Sequence, residues 1–196
     1  TQMKSTGEDM AIGRTIEEAF LKAIDSLDVK INYQLGLKKF EEMTDSELLE
    51  YIKTPNDERV FAICEALSRN YDCKFISDLS KIDYFFIEKF KNIVDMSKQL
   101  KKYDIESLPY DLLQKAKRLG FGDSYIANLL KEDVDEVIEI REKCKLKPSF
   151  KMVDTCAGEF EAKTPYFYST YEKETDLVVS SKPKAIVIGS GPIRIG

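Results

Sequence analysis

Between Thr15 and Lys147, apolar residues return every three or four positions, the spacing that gathers them on one side of an α-helix. The first run is Ile16, Ala19, Phe20, Ala23, Ile24 and Leu27. Thr15 and Glu18 in front of it have capping-box spacing, so side chains can satisfy the N–H groups left free by the first turn. Asp28 to Leu37, with Gly36, reads as a connection. Thr44 and Glu47 repeat the capping signal before Leu48, Leu49 and Ile52. Thr54-Pro55 places a cap ahead of a proline at a first helical position, opening a helix with Phe61, Cys64 and Leu67 on one side. Asp83 caps the longest predicted helix, whose stripe is Phe86, Ile87, Phe90, Ile93, Val94 and, past a polar gap at Ser97, Leu100. Ser107-Leu108-Pro109 opens a helix with Leu112, Leu113, Ala116 and Leu119 inward and Gly120 as its stop. Asp123 and Asp133 begin two short helices that end before Leu146-Lys147-Pro148.

The flanks have another texture. Met3 to Arg14 carries Gly7 and Gly13 and is too glycine-rich for a firm helix. Lys163 to Tyr171 packs aromatics around Thr164-Pro165 and reads as extended, and Asp176 to Pro183 is a polar bridge. Ala185 to Ile188 is a β-branched apolar run suited to a buried strand. Gly189, Gly191 and Gly196 follow it with Arg194 among them. Their spacing departs from G-x-G-x-x-G, so they fit either the start of a nucleotide-related fold or an ordinary glycine turn. The predicted fold is mainly α, a helical domain over 15–147 with extended arms and a terminal strand that opens a truncated α/β domain. The expectation is a piece of a larger protein.

Composition narrows the chemistry. Hydrophobic residues at 43% suffice for a core, and a net charge of -5 gives nucleic acid and anionic membrane no electrostatic hold. No apolar run approaches the ~20 residues of a membrane span. The absence of histidine removes Ser-His and Cys-His pairs. Cys64, Cys73, Cys144 and Cys156 have no metal-site spacing and read as reduced thiols, so no metal and no catalytic residue is assigned. Leu112 to Arg141, turning at Gly120-Phe121-Gly122, has a helix-turn-helix outline, but the acids after Asp123 would repel phosphate. The aromatics of Tyr166 to Tyr171 read as packing for the arm rather than a ligand platform.

Three segments together carry a family likeness: Met3-Lys4-Ser5-Thr6-Gly7-Glu8 with Met10 to Thr15; Val153-Asp154-Thr155-Cys156-Ala157 with Glu159-Phe160 and Tyr168-Ser169-Thr170-Tyr171-Glu172; and Gly189-Ser190-Gly191-Pro192 with Arg194-Ile195-Gly196. In this order they resemble the middle of the large subunit of carbamoyl phosphate synthetases. Asp83, Phe86, Lys117, Arg118, Gly120 and Phe121 extend the likeness through the helices. Ile193, where asparagine is common in the second half, is a departure.

The resemblance implies a helical oligomerisation domain between two ATP-grasp halves, which together make carbamoyl phosphate from bicarbonate, ammonia (from glutamine) and two ATP for arginine and pyrimidine synthesis. Residues 1–14 would end the first half, 15–147 form the oligomerisation domain, 148–183 a linker, and 184–196 the first strand and glycine loop of the second half. It implies a cytoplasmic enzyme using ATP, Mg2+ (or Mn2+) and K+, with a glutaminase small subunit, while this stretch alone is catalytically silent. The truncated loop Gly189, Gly191, Arg194 and Gly196 would line an intermediate's path rather than hold ATP. Tyr84 and Phe85 are the candidates for the homo-oligomer contact. The competing reading is an effector- or partner-binding helical module without a catalytic role.

Overall fold

The computed structural model describes residues 10–26, 37–161 and 163–187. Among them nine helices run in chain order: α1 (Ile16–Ser26), α2 (Lys38–Glu41), α3 (Asp45–Lys53), α4 (Arg59–Ser68), α5 (Cys73–Ser80), α6 (Tyr84–Leu100), α7 (Tyr110–Arg118), α8 (Asp123–Leu130) and α9 (Val134–Lys143). Two strands follow, β1 (Ser149–Met152) and β2 (Phe167–Thr170).

α4 and α6 form the centre. α4 buries Phe61, Ala62, Ile63, Cys64, Ala66 and Leu67, more than one face, because α2, α3, α5 and α6 all pack around it. α6, about 25 Å long at 1.5 Å per residue, buries Ile87, Phe90, Ile93, Val94, Met96 and Leu100. Its predicted polar gap is a hydrogen-bonded site: Ser97 Oγ donates to the Ile93 carbonyl and lies 3.0 Å from the Tyr125 hydroxyl. α1 reaches α6 through the Phe20 and Phe90 rings, 4.9 Å apart.

The capping signals at Thr15, Thr44 and Asp83 hold. Thr44 Oγ1 accepts from the Glu47 N–H while the Glu47 carboxylate accepts from the Thr44 N–H. Thr15 Oγ1 accepts from the Glu18 N–H, and Asp83 accepts from the Phe85 N–H. Gly120 stops α7 at φ +96°, with the Phe121 N–H reaching the Ala116 carbonyl.

Two expectations are corrected. Thr54 does not open α4; it closes α3, and α4 begins at Arg59. Asn56 intervenes, its side chain accepting from the Glu58 N–H and donating to the Thr54 carbonyl, a turn that competes with the helix. Asp123 begins α8 as expected, and its carboxylate pairs with Lys117 and Arg141. α1 turns Glu17, Glu18 and Leu21 fully inward, leaving Phe20 and Ile24 half-buried at the side, because both acids find partners inside.

The arm after α9 is not merely extended. β1 and β2 pair antiparallel, with Ser149 opposite Thr170 and Met152 opposite Phe167. Residues 184–187 join no ladder, and Ile186 and Val187 are exposed, since no described strand lies beside them. Ile188 to Gly196, including Gly189, Gly191, Arg194 and Gly196, lie outside the described residues, as do Leu27 and Asp28 to Gly36.

Candidate functional site

Two kinds of feature stand out on this body: an exposed aromatic end and a pair of polar joints. The aromatic end is the start of α6. Tyr84, Phe85 and Phe86 follow one another and therefore spread over about 200° of the helix surface, so all three cannot face the core. Ile87 takes the buried position, and the three aromatics are 43%, 47% and 43% exposed. The sequence stripe placed Phe86 inward; the helix turns it out. Phe85 and Phe86 meet edge to face at 5.4 Å, and Lys89 Nζ lies 5.1 Å from the Phe85 ring centre. A hydrogen bond to the Glu88 carboxylate holds the Tyr84 phenol above its ordinary range. Phe75, on the adjoining α5, is 44% exposed and stacks on Tyr71. Tyr84 and Phe85 are the two candidates from the sequence, and the structure adds Phe75 and Phe86 as exposed rings beside them.

The first joint is built on α1. Glu17 accepts from Asn92 Nδ2 at 2.8 Å and faces Lys89 Nζ at 3.6 Å, tying α1 to α6. Glu18 is buried; its carboxylate accepts from the Arg14 N–H and pairs with Lys22 at 2.9 Å. Lys22 in turn donates to the Ile12 carbonyl at 2.9 Å and to the Ser169 carbonyl of β2, with its ammonium over the Tyr168 ring. Arg14 also hydrogen-bonds Tyr168, which raises the guanidinium above its usual value. One lysine therefore gathers the segment before α1, α1 itself and the hairpin.

The second joint centres on Asp123. Lys117 of α7 and Arg141 of α9 reach its two carboxylate oxygens at 2.8 and 3.0 Å. Lys117 also donates to the Phe121 carbonyl and lies 4.8 Å from the Tyr171 ring centre, just past β2. Burial is the main influence on this ammonium and pushes its pKa down, while Asp123 counteracts it. Burial also raises the Tyr171 phenol. Between the two joints, Gly120 presses on α1: a Cβ there would stand 2.8 Å from Glu18 Cα. None of Lys22, Lys117, Asp123 or Arg141 was singled out for this role. The only signal was Lys117 on the inward side of a helix, one position past Ala116.

A cleft between α4, α6 and α8, lined by Glu65, Ser68, Ser97, Lys98 and Tyr125 among others, has a volume of about 80 Å³. Small-molecule sites run to about 300–1,000 Å³, so it is too small for one. Among the described residues no three His, Cys, Asp or Glu side chains converge as metal ligands, and no helix is long and apolar enough to cross a membrane. Cys64 is fully buried, which pushes its thiol up to about 12 and makes it a core residue rather than a nucleophile.

A tightly cored helical body, arms fastened through buried ion pairs and a projecting aromatic end define a scaffold-type helical domain. Its residues 8–145 match the family model for the oligomerisation domain of the carbamoyl-phosphate synthetase large chain, and the chain belongs to that family. Along its whole length it is 50% identical to the carbamoyl phosphate synthase large chain of Clostridium perfringens (strain SM101 / Type A). It is likewise 50% identical to that of Methanothrix thermoacetophila over 197 aligned residues, and 48% identical to that of Caldanaerobacter subterraneus subsp. tengcongensis. The chain spans 18% of the length of these curated relatives.

Proposed function

We propose that this domain provides the self-association contact and the spacing element of a carbamoyl phosphate synthase large chain. The observation that carries the reading is the row Tyr84, Phe85 and Phe86, held outward at the end of a helix whose remainder is locked into the core. Clustered exposed aromatics on a rigid support are the usual material of interface centres. In this reading residues 15–147 are the oligomerisation body, and residues 1–14 and 184–196 belong to the two ATP-grasp halves on either side, with 148–183 as the link between body and second half. The loop Gly189, Gly191, Arg194 and Gly196 then lies on the path of an intermediate in the second half.

The full-length protein would use ATP, with Mg2+ (or Mn2+) and K+, to convert bicarbonate and glutamine-derived ammonia into carbamoyl phosphate for arginine and pyrimidine synthesis. It would work in the cytoplasm with a glutaminase small subunit. The domain by itself turns over no ATP. Sedimentation velocity tests the contact: Tyr84→Asp with Phe85→Asp should shift a concentration-dependent assembly toward monomer, with unchanged helical circular dichroism. An assembly that is unmoved by both charges rules this patch out, and ATP hydrolysis by the isolated chain rules out the silent role.

A further inference from the structure

The hairpin is seated inside out. Alternation along β1 and β2 puts Ser149, Thr170, Lys151 and Tyr168 on one face and Phe150, Ser169, Met152 and Phe167 on the other. The polar set is the one turned to the helical body. Ser149 and Thr170 are buried, Lys151 pairs with Asp176, and Tyr168 sits beneath Lys22. The apolar set faces outward: Phe150 and Phe167 are 39% and 40% exposed, flanking the half-buried Met152, which lies opposite Phe167 across the ladder and whose sulfur accepts from the Thr164 N–H. A sheet with one wet side ordinarily turns its polar residues to water. Here the wet side is the apolar one.

The chain that leaves the hairpin continues this character. Every described residue from 173 to 187 is exposed, and Leu177, Val178, Val179, Ile186 and Val187 are among them. Asp176 fastens the beginning of this segment to β1, its N–H donating to the Phe150 carbonyl and its carboxylate accepting from the Met152 N–H. The curated relatives carry more than four-fifths of their length outside the aligned part, and in the proposed arrangement this segment is the link to the second half.

We infer that the outer face of the hairpin, Phe150, Met152 and Phe167, is a docking surface for the remainder of the large chain's own polypeptide. The inference rests on the spacer reading above, since it names the surface on which a flanking part would sit. A second copy of the domain is the alternative occupant. The exposed aliphatics Leu177, Val178, Val179, Ile186 and Val187 of the outgoing segment, on either side of a polar stretch at 180–184, favour an intramolecular one.

Hydroxyl-radical footprinting of the purified full-length large chain, without small subunit, tests this with no substitution. Oxidation of Phe150 and Phe167 is compared with that of Phe121, which is 1% exposed, over a dilution series that spans dissociation of any oligomer. Rates within threefold of the Phe121 rate at every concentration are the expected result. Higher rates, or protection that is lost on dilution, overturn the inference; loss on dilution would mean that a second copy covers the face. The sedimentation test of Tyr84 and Phe85 is separate, so either reading can fail without the other.

Discussion

Replacing Gly120 by alanine tests whether the close approach of α7 and α1 is structural. Gly120 has φ +96°, where an L-residue is strained by about 1–2 kcal/mol. The added Cβ would also stand 2.8 Å from Glu18 Cα and 3.0 Å from the Glu18 carbonyl oxygen. Both are backbone atoms, so no side chain can swing away, and overpacking of this kind adds about 1–3 kcal/mol. The expected loss is about 2–5 kcal/mol, measured by urea unfolding with an unchanged m-value. Two other glycines separate the contributions. Gly158 shares the positive φ (+76°) but a Cβ there meets nothing within 4 Å, so Gly158→Ala should cost no more than about 1–2 kcal/mol. Gly122 has neither constraint, so Gly122→Ala should be near neutral. If Gly120→Ala costs no more than Gly158→Ala, the α1 contact is loose and the packing argument is wrong.

Two further outcomes follow from the buried polar groups. Asp123→Ala strands two cations, one of them the buried Lys117, and should cost about 3–5 kcal/mol. Lys117→Met leaves Asp123 paired with Arg141 and should cost clearly less by the same urea titration; the reverse order would show that Asp123 is not the hub. Burial lifts the Cys64 thiol from its ordinary 9.0 to about 12, so between those values the folded chain holds a proton that the unfolded chain has released. That contribution is present below about pH 9 and lost as pH rises toward 12, and Cys64→Ala should flatten the alkaline fall in stability. An equally steep fall in the variant assigns it to other groups.

Helix existence was legible because caps and stripes are local. Thr44 with Glu47, Asp83, and the run from Ile87 to Leu100 all read correctly for that reason. Helix ends were harder. Only one described helix stops on a left-handed glycine, Gly120; elsewhere Asn70, Lys81, Lys131 and Lys145 take positive φ, which nothing in a lysine announces. The facing of α1 was missed because Glu17 and Glu18 look like a solvent face until Asn92, Lys89 and Lys22 are placed around them. Those partners lie on other elements or depend on which way the helix rolls, so periodicity carries no trace of them. The hairpin's inverted polarity was hidden for a related reason. Alternation at Ser149 to Met152 identifies two faces, but which one meets the body is decided by Lys22, far away in sequence.

The polar joints explain how the elements of this body are held in fixed orientation. Apolar burial is non-directional, so a core of Leu, Ile and Phe tolerates small rotations of a helix against its neighbour. Hydrogen bonds and ion pairs weaken steeply with angle and distance, so they fix orientation. Here α1 carries both kinds. Its first turn places Glu17 on Asn92 of α6, the helix that presents Tyr84, Phe85 and Phe86. One and a half turns later Lys22 holds the Ser169 carbonyl of the strand that presents Phe167. Gly120 clamps the same stretch from α7, with Lys117 and Tyr171 securing the far side of the hairpin. α1 is thus a strut between the aromatic end and the apolar face of the hairpin. Its inward acids, which look misplaced in the sequence, are what hold the two surfaces at a defined separation and angle.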